Sequence, residues 1–292
     1  MKFIGYLGMI VLIILMFWNV ENLFAPGAME GKSWSSSRFY AKCSAISKTV
    51  LLAGDEFGDY PDIVAFAEIG ERQVLTRMLA GTPLRKLDYR IVHYESPDHR
   101  GIDCALIYRR SRLTLINSKP IHLYNEDGSV MSTRDILLAV FSEADGDTLA
   151  VLVNHHPSKL GDDSGKRREM AMQRLEFVCD SLKADGIKRI AAVGDFNDTV
   201  ISSPNVSAAY GNKGSIKFNG KWEKIDGCPI LEGMTATEYI FDAPHLSTKD
   251  AGYSGQKPLR TFSGPRYLGG VSDHYPIVLK TSGDPEEPPL SH

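Results

Sequence analysis

The sequence predicts a two-sheet α/β sandwich. Many short apolar runs of strand character are separated by turn signals, and a few amphipathic stretches read as helices along the outside. No internal repeat and no Pro- or Ser-rich linker divides the 292 residues. Hydrophobic residues at 43%, charged residues at 24% and 26 glycines are ordinary globular values, which excludes disorder, collagen and coiled coil for the whole chain. The formal charge of −3, from 33 Lys+Arg against 36 Asp+Glu, argues against an obligate, charge-driven binder of bulk nucleic acid. It leaves room for an enzyme that handles phosphate in one pocket.

From Phe3 to Trp18 the chain is uncharged and mostly apolar behind Lys2. That length suits a signal-peptide core better than a spanning helix, yet no small-residue cleavage site follows. Leu12 to Trp18 reads equally well as a buried strand. The boundaries expected are therefore an apolar or signal-like extension over 1–11, a folded domain over 12–282 and a disordered tail over 283–292, rich in proline. Cytoplasmic and exported or membrane-associated locations are both compatible with this start.

Arg38 to Gly54 places apolar residues at 39, 43, 46 and 50, one face of a helix, with Gly54 as its end. Ile63–Ala67 is a continuous apolar run that reads as a buried strand, and Gln73–Leu79 as a helix. Strand-like pieces follow at Tyr89–Tyr94, Ala105–Tyr108, Leu113–Ile116, Ile136–Phe141 and Leu149–Val153, with turn signals such as Asp127-Gly128 between them. Arg167–Lys183 is a second amphipathic helix, Ile190–Val193 a buried strand, and Trp222–Leu231 and Tyr275–Leu279 two more strands. Cys43, Cys104, Cys179 and Cys228 are widely spaced, without metal-ligand spacing, and read as buried free thiols.

Polar residues recur at strand ends. Asn19 follows the first strand, Glu68 the second, and Asp195 and Asn197 follow Ile190–Val193; Asp226 lies within Trp222–Leu231 and Asp273 precedes Tyr275–Leu279. One carboxylate at a strand end is usually a cap or turn. Repeated arrival of oxygen donors at strand ends lets them converge on one rim, and oxygen-only donors suit Mg²⁺ or Mn²⁺ better than zinc. Asn154-His155-His156 and Ser272-Asp273-His274 add imidazoles beside these groups, the set that phosphoryl chemistry uses to neutralise phosphate and activate water.

Asn19-Val20-Glu21-Asn22, Glu68, Asn154-His155, Gly194-Asp195-Phe196-Asn197, Ile225-Asp226 and Ser272-Asp273-His274 together resemble, in order, the motifs of the endonuclease/exonuclease/phosphatase superfamily, of deoxyribonuclease I-like type. The resemblance implies a four-layer α/β sandwich of two mixed sheets flanked by helices. It implies Glu68 as metal ligand, with Asn19 and Asp273 completing or water-bridging the site. Asp195 would activate water, with Asn197 holding the phosphate. His274, oriented by Asp226, would contact a non-bridging oxygen, and His155 would stabilise the pentacoordinate phosphorus or the leaving oxygen. His156 receives no role. After Glu68 the chain departs from the pattern common in bacterial relatives, reading Ile69-Gly70-Glu71-Arg72.

The implied activity is metal-dependent phosphoester hydrolysis, first of all by a nuclease-like phosphodiesterase. The alternative is a phosphatase or lipid phosphodiesterase, of inositol phosphate or sphingomyelin type, at a membrane reached through the N-terminus. A catalytically silent binding module is the third reading, against which the complete residue set counts. Arg100, Arg109, Arg110 and Arg112, and Lys159, Lys166, Arg167 and Arg168, form basic stretches that read either as a track for a nucleic-acid backbone or as solvated strand and helix ends. The protein is expected to act as a monomer on its phosphoester substrate.

Overall fold

The structure, a computed structural model, describes residues 12–144, 146–159 and 164–282. The extension over 1–11 and the tail over 283–292 lie outside the described residues. In chain order the first half contains β1 (Ile14–Leu23), α1 (Ser36–Phe57), β2 (Ile63–Ile69), α2 (Arg72–Gly81), β3 (Tyr89–His93), β4 (Asp103–Arg109), β5 (Thr114–Ile121), β6 (Ile136–Ser142) and β7 (Thr148–His155). The second half contains α3 (Ser164–Ala184), β8 (Arg189–Asp195), β9 (Val206–Ala208), β10 (Ile216–Phe218), β11 (Lys221–Glu223), β12 (Asp226–Glu232) and β13 (Thr235–Ile240). Four short strands, β14 (Ser247–Lys249) with β15 (Gln256–Pro258) and β16 (Phe262–Ser263) with β17 (Arg266–Tyr267), form two hairpins before β18 (Ile277–Ser282).

A seven-stranded sheet runs β3-β4-β2-β1-β18-β13-β9, and a five-stranded sheet runs β12-β8-β7-β6-β5. Their inner faces pack together, and period-two alternation shows how. In the second sheet Leu137, Ala139 and Phe141 of β6, Leu149, Val151 and Val153 of β7, and Ala191 and Val193 of β8 join the core shared with the first sheet. The residues between them, Ile136, Leu138, Ala150, Leu152, Ile190 and Ala192, join a separate cluster with Ala171, Leu175 and Val178 of α3. On the far side of the first sheet, Phe39, Cys43, Ile46 and Val50 of α1 and Val74, Leu75 and Met78 of α2 are buried. The order helix–sheet–sheet–helix is the expected four-layer sandwich. All four cysteines are buried and free. Among the described residues no helix is long and apolar enough to cross a membrane.

Several element boundaries differ from the sequence reading, each for a local reason. Helix α1 passes through Gly54, which lies against the Tyr60 ring at a distance that admits no Cβ, and ends at Gly58 with φ +89°. Strand β1 continues past Trp18 to Leu23, because it bulges after Asn19 and then re-pairs with Ile69. The run Trp222–Leu231 divides between β11 and β12, which belong to different sheets. Strand β13 has no counterpart in the sequence reading: its inward set is Ala236, Glu238 and Ile240, and the buried Glu238 disguises the apolar alternation. Lys224 neutralises Glu238 at 2.8 Å.

Gly194 sits opposite Asn154 in the parallel β7–β8 pair, where a Cβ would lie 2.4 Å from the Asn154 carbonyl oxygen. Gly194→Ala is therefore expected to lower stability by about 1–3 kcal/mol in urea unfolding. Gly165→Ala, in the first turn of α3 with open space around it, is expected to leave the midpoint unchanged or raise it.

Candidate active site

The topology brings the polar strand ends to one rim. β1 and β2 are parallel, as are β7 and β8, so Asn19, Glu68, His155 and Asp195 arrive with the C-terminal portions of their strands. β18 is antiparallel to β1, and β12 to β8, so His274 before β18 and Asp226 at the start of β12 meet them from the opposite chain direction. Parity then selects the side chains. His155 and Asp195 continue the series 149, 151, 153 and 191, 193 that faces the cleft between the sheets. His156 falls on the other parity; its ring packs edge-on against Phe196 at 4.8 Å, on the side of α3.

Asp195 is the junction of the rim. Its Oδ2 accepts from Asn19 Nδ2 at 2.9 Å and lies 3.7 Å from His155 Nε2 and 3.9 Å from His274 Nε2. Its Oδ1 accepts the Asn197 backbone N–H at 2.9 Å. Burial, and then the charge of Asp226 opposite it, push the Asp195 carboxyl up to about 7, against the opposing pull of His274. Asp226 Oδ2 and His274 Nδ1 are 2.7 Å apart. Burial works against a charged imidazole, but the charge and hydrogen bond of Asp226, helped by Asp195, hold the His274 pKa well above its ordinary value. Donor atoms of Asp195, Asp226 and His274 all lie within 4.8 Å of one another, close enough to share a cation; a proton on the imidazole meets the same electrostatic demand.

Glu68 closes the rim from the first sheet. It adopts φ +65° where β2 bulges against β4, a left-handed conformation costly for a side chain with a Cβ. The bulge turns its carboxylate to the rim, where Oε2 accepts the Asn22 N–H at 2.9 Å. Oε1 faces Arg100 at 3.7 Å and His155 Nε2 at 4.0 Å, beyond hydrogen-bond range. His155 is held neutral: burial, then Arg134 and Arg100, push its pKa well below the ordinary value. Its Nδ1 is buried without a hydrogen-bond partner. The proton therefore belongs on Nε2, pointing at the carboxylates. Asn197 Nδ2 donates to the His156 carbonyl at 2.9 Å, which ties the end of β8 to the end of β7.

Asp273 lies at the outer edge, 3.2 Å from Arg260 and 4.0 Å from His274 Nε2. Arg260 also holds Glu21 at 3.0 Å, and Lys42 donates to the Glu21 carbonyl at 2.6 Å and to Thr261. Burial lowers the Lys42 pKa to about 8, opposed by the charges of Glu21 and Glu68. Glu21, Lys42 and Arg260 had no assigned place in the sequence reading. Lys42 was detectable there, since it falls within the apolar stripe of α1 beside Phe39, Cys43 and Ile46. The basic stretches divide. Arg100 reaches Glu68, whereas Arg109 and Arg112 pair with Asp62 at the opposite end of β2, and Arg110 pairs with Asp88. Lys159, Lys166 and Arg168 pair with Glu223, Glu126 and Asp198, and Arg167 donates to the Ser132 carbonyl.

The donors fit a hard divalent cation. Glu68 offers an oxygen that makes no hydrogen bond, Asn19 an amide oxygen and Asp273 a half-exposed carboxylate. Lys42 and Arg260 both feel the charges of Glu21, Glu68 and Asp273, so these carboxylates form one electronegative rim.

His156 supplies a stability test separate from the chemistry. Burial, then Arg134 and Arg168, lower its pKa from 6.5 to about 3, so between those values the unfolded chain binds a proton that the folded chain does not. Its stabilising contribution is present above 6.5 and is lost as pH falls toward 3. His156→Phe is expected to flatten the decline in thermal midpoint below pH 6.5, measured beside wild type by calorimetry.

The fold has many counterparts. A Bacteroides thetaiotaomicron endonuclease/exonuclease/phosphatase family protein superposes with TM-score 0.61 at 15% identity, over 94% of this chain and 99% of that one. A mannosyl-6-phosphatase of the same organism gives 0.59 at 14%, over 92% and 99%. D. rerio TDP2, humanized by 14 mutations, gives 0.56 at 14%, over 93% and 99%. No curated protein matches the chain in sequence. The model of the Endonuclease/Exonuclease/phosphatase family matches residues 15–208 and 206–282, which takes in every rim residue described above. This chain belongs to the endonuclease/exonuclease/phosphatase family.

Proposed function

We propose that the chain is a Mg²⁺- or Mn²⁺-dependent phosphodiesterase of nuclease-like type in which Asp195 activates the attacking water. Phosphoester hydrolysis is the chemistry of the family; the observation that supports this assignment is the meeting of three side chains on one carboxylate oxygen. Asp195 Oδ2 has Asn19 at 2.9 Å and the two imidazoles at 3.7 and 3.9 Å, spacing that leaves room for a reacting group between them. A bound cation, held by Glu68 with Asn19 and Asp273, would supply charge neutralisation on the phosphoryl oxygens.

The chain's own residues divide the remaining work. Asp195 takes the proton of water, and a carboxyl titrating near 7 is a stronger base than an ordinary aspartate at neutral pH. Asn19 and the Asn197 N–H fix the aim of its two oxygens. His274, charged and tied to Asp226, donates Nε2–H to a non-bridging phosphate oxygen. His155, neutral, stabilises the pentacoordinate phosphorus by donating Nε2–H to one of its equatorial oxygens or to the leaving oxygen, and Asn197 helps hold the phosphate. Arg100, 3.7 Å from Glu68, adds a positive charge at the rim that can pair with an arriving phosphate.

A cavity of about 260 Å³ opens beside Asp273 and Arg260 and is lined by Phe218, Tyr253, Lys217 and Lys257. Phe218 and Tyr253 are 63% and 51% exposed. Lys217 and Lys257 are paired with Asp250, so the exposed rings are what suits this cavity to a flat base attached to a phosphate at the rim, which favours nucleic acid or its fragments over lipid and sugar phosphates.

The test is a panel of single- and double-stranded DNA, RNA, an apurinic-site duplex, sphingomyelin, inositol phosphates, mannose 6-phosphate and bis(p-nitrophenyl) phosphate, with Mg²⁺, Mn²⁺ or chelator. Metal-dependent cleavage is expected, at least about 100-fold weaker in Asp195→Asn; chelator-resistant activity, or an unaffected Asp195→Asn, would overturn the mechanism. Preference for a lipid or sugar phosphate would replace the nuclease reading with the phosphatase one. Phe218→Ala with Tyr253→Ala is expected to raise KM for oligonucleotides by about tenfold or more, with kcat little changed.

A further inference from the structure

A second group of donors lies one strand away from Glu68 and takes no part in the chemistry above. β3 ends at His93, Glu95 follows in the loop, and β4 begins at Asp103, whose Cα partner across the sheet is Ile69. The side chains of His93 and Asp103 are 2% and 1% exposed. His93 Nε2 and Asp103 Oδ2 face each other at 3.1 Å, yet neither atom completes a hydrogen bond with any partner. A simple ion pair would aim the ring N–H at the carboxylate, and here it does not. Asp103 Oδ1 is occupied by the Ser96 N–H at 2.8 Å and the Ser96 hydroxyl at 2.5 Å, which turns Oδ2 toward the imidazole. One donor atom each from His93, Glu95 and Asp103 lies within 4.8 Å of the other two.

We propose that His93, Glu95 and Asp103 form a zinc site distinct from the catalytic rim. Two donors each about 2.1 Å from a shared ion and 3.1 Å apart subtend roughly 95° at it, an ordinary coordination angle. An imidazole with two carboxylates is a borderline donor set that favours Zn²⁺, whereas the oxygen-only rim at Glu68 favours Mg²⁺ or Mn²⁺. Glu95 and Asp103 bring carboxylate oxygens within 4.8 Å of each other, a repulsion that a bound cation relieves. Glu95 is exposed, so the ion has an entry path and water can complete the fourth position. The Ser96 hydroxyl and N–H supply the outer support that orients a ligating carboxylate.

The ion would brace the ends of β3 and β4 and the loop between them. That loop contains Asp98, whose Oδ1 accepts the Arg100 N–H at 2.9 Å and whose Oδ2 lies 3.2 Å from Arg134. Arg100, 3.7 Å from Glu68, is thus held over the rim by a segment anchored at the zinc site.

The experiment is equilibrium dialysis of the full chain against Zn²⁺ in excess Mg²⁺, followed by metal analysis and by diffraction at the zinc edge. One equivalent of Zn²⁺ is expected in wild type and in Glu68→Gln, with the anomalous peak between His93, Glu95 and Asp103. His93→Gln should lose it. Glu95→Gln, at an exposed position that folding tolerates, should weaken it by roughly tenfold or more. No bound zinc in wild type, full retention in both His93→Gln and Glu95→Gln, or a peak at Asp195 and His274 instead would overturn the proposal. Because the readout is binding, it stands or falls independently of the hydrolytic assignment.

Discussion

Everything at the rim is organised around the burial of one carboxylate. Asp195 is 2% exposed at the seam between two sheets, where an unpaired charge would cost several kcal/mol. It is tolerated because donors from both sheets meet it: Asn19 and His274 from the first, the Asn197 N–H from the end of its own strand. The same contacts pin the sheets together at one end. Asp226 adds a second buried carboxylate directly across β8–β12, and the His274 imidazolium lies between the two. Charge balance, sheet registration and proton chemistry are therefore one arrangement.

Keeping that arrangement needs backbone conformations that side chains with a Cβ rarely adopt. Glu21, Asn22, Glu68 and Asn197 all have φ between +48° and +65°. Each lies where a strand bulges or ends, and the left-handed residue redirects the chain so that a side chain meant for the ladder turns to the rim. The strain is held by its surroundings: Glu68 by Asn22, Glu21 by Arg260 and Thr261, Asn197 by Asp195 and the His156 carbonyl. Strained residues concentrated at a polar rim fit a site built for reaction, not for stability.

Much of this was legible in the residues, and particular elements show why. The runs of β2, β7 and β8 are apolar on both parities because both faces are covered, and their chemistry-bearing residues follow directly. β13 was hidden because Glu238 occupies a core position whose partner, Lys224, is remote in sequence. Lys42 carries a signal, its place in the apolar stripe of α1, but that stripe alone cannot tell a buried lysine from one solvated position on an apolar helix. The basic stretch from Arg100 to Arg112 looked continuous, but β4 crosses the whole sheet between its ends.

The sequence by itself determined the layered α/β class and the placement of Asn19, Glu68 and Asp195 at strand ends, with His274 beside Asp273 before the last strand. Alternation along β7 requires His155 and His156 to face opposite ways, but β7 is apolar on both parities, so packing decided that His155 enters the cleft and His156 faces α3. Tertiary structure alone decided which strand ends share a rim, because strand order and direction depend on packing between segments far apart in the chain. It also decided protonation: neutral His155, charged His274 and Asp195 titrating near 7 follow from burial and from charges on other strands. Those influences exist only once the two sheets have closed on each other and excluded water.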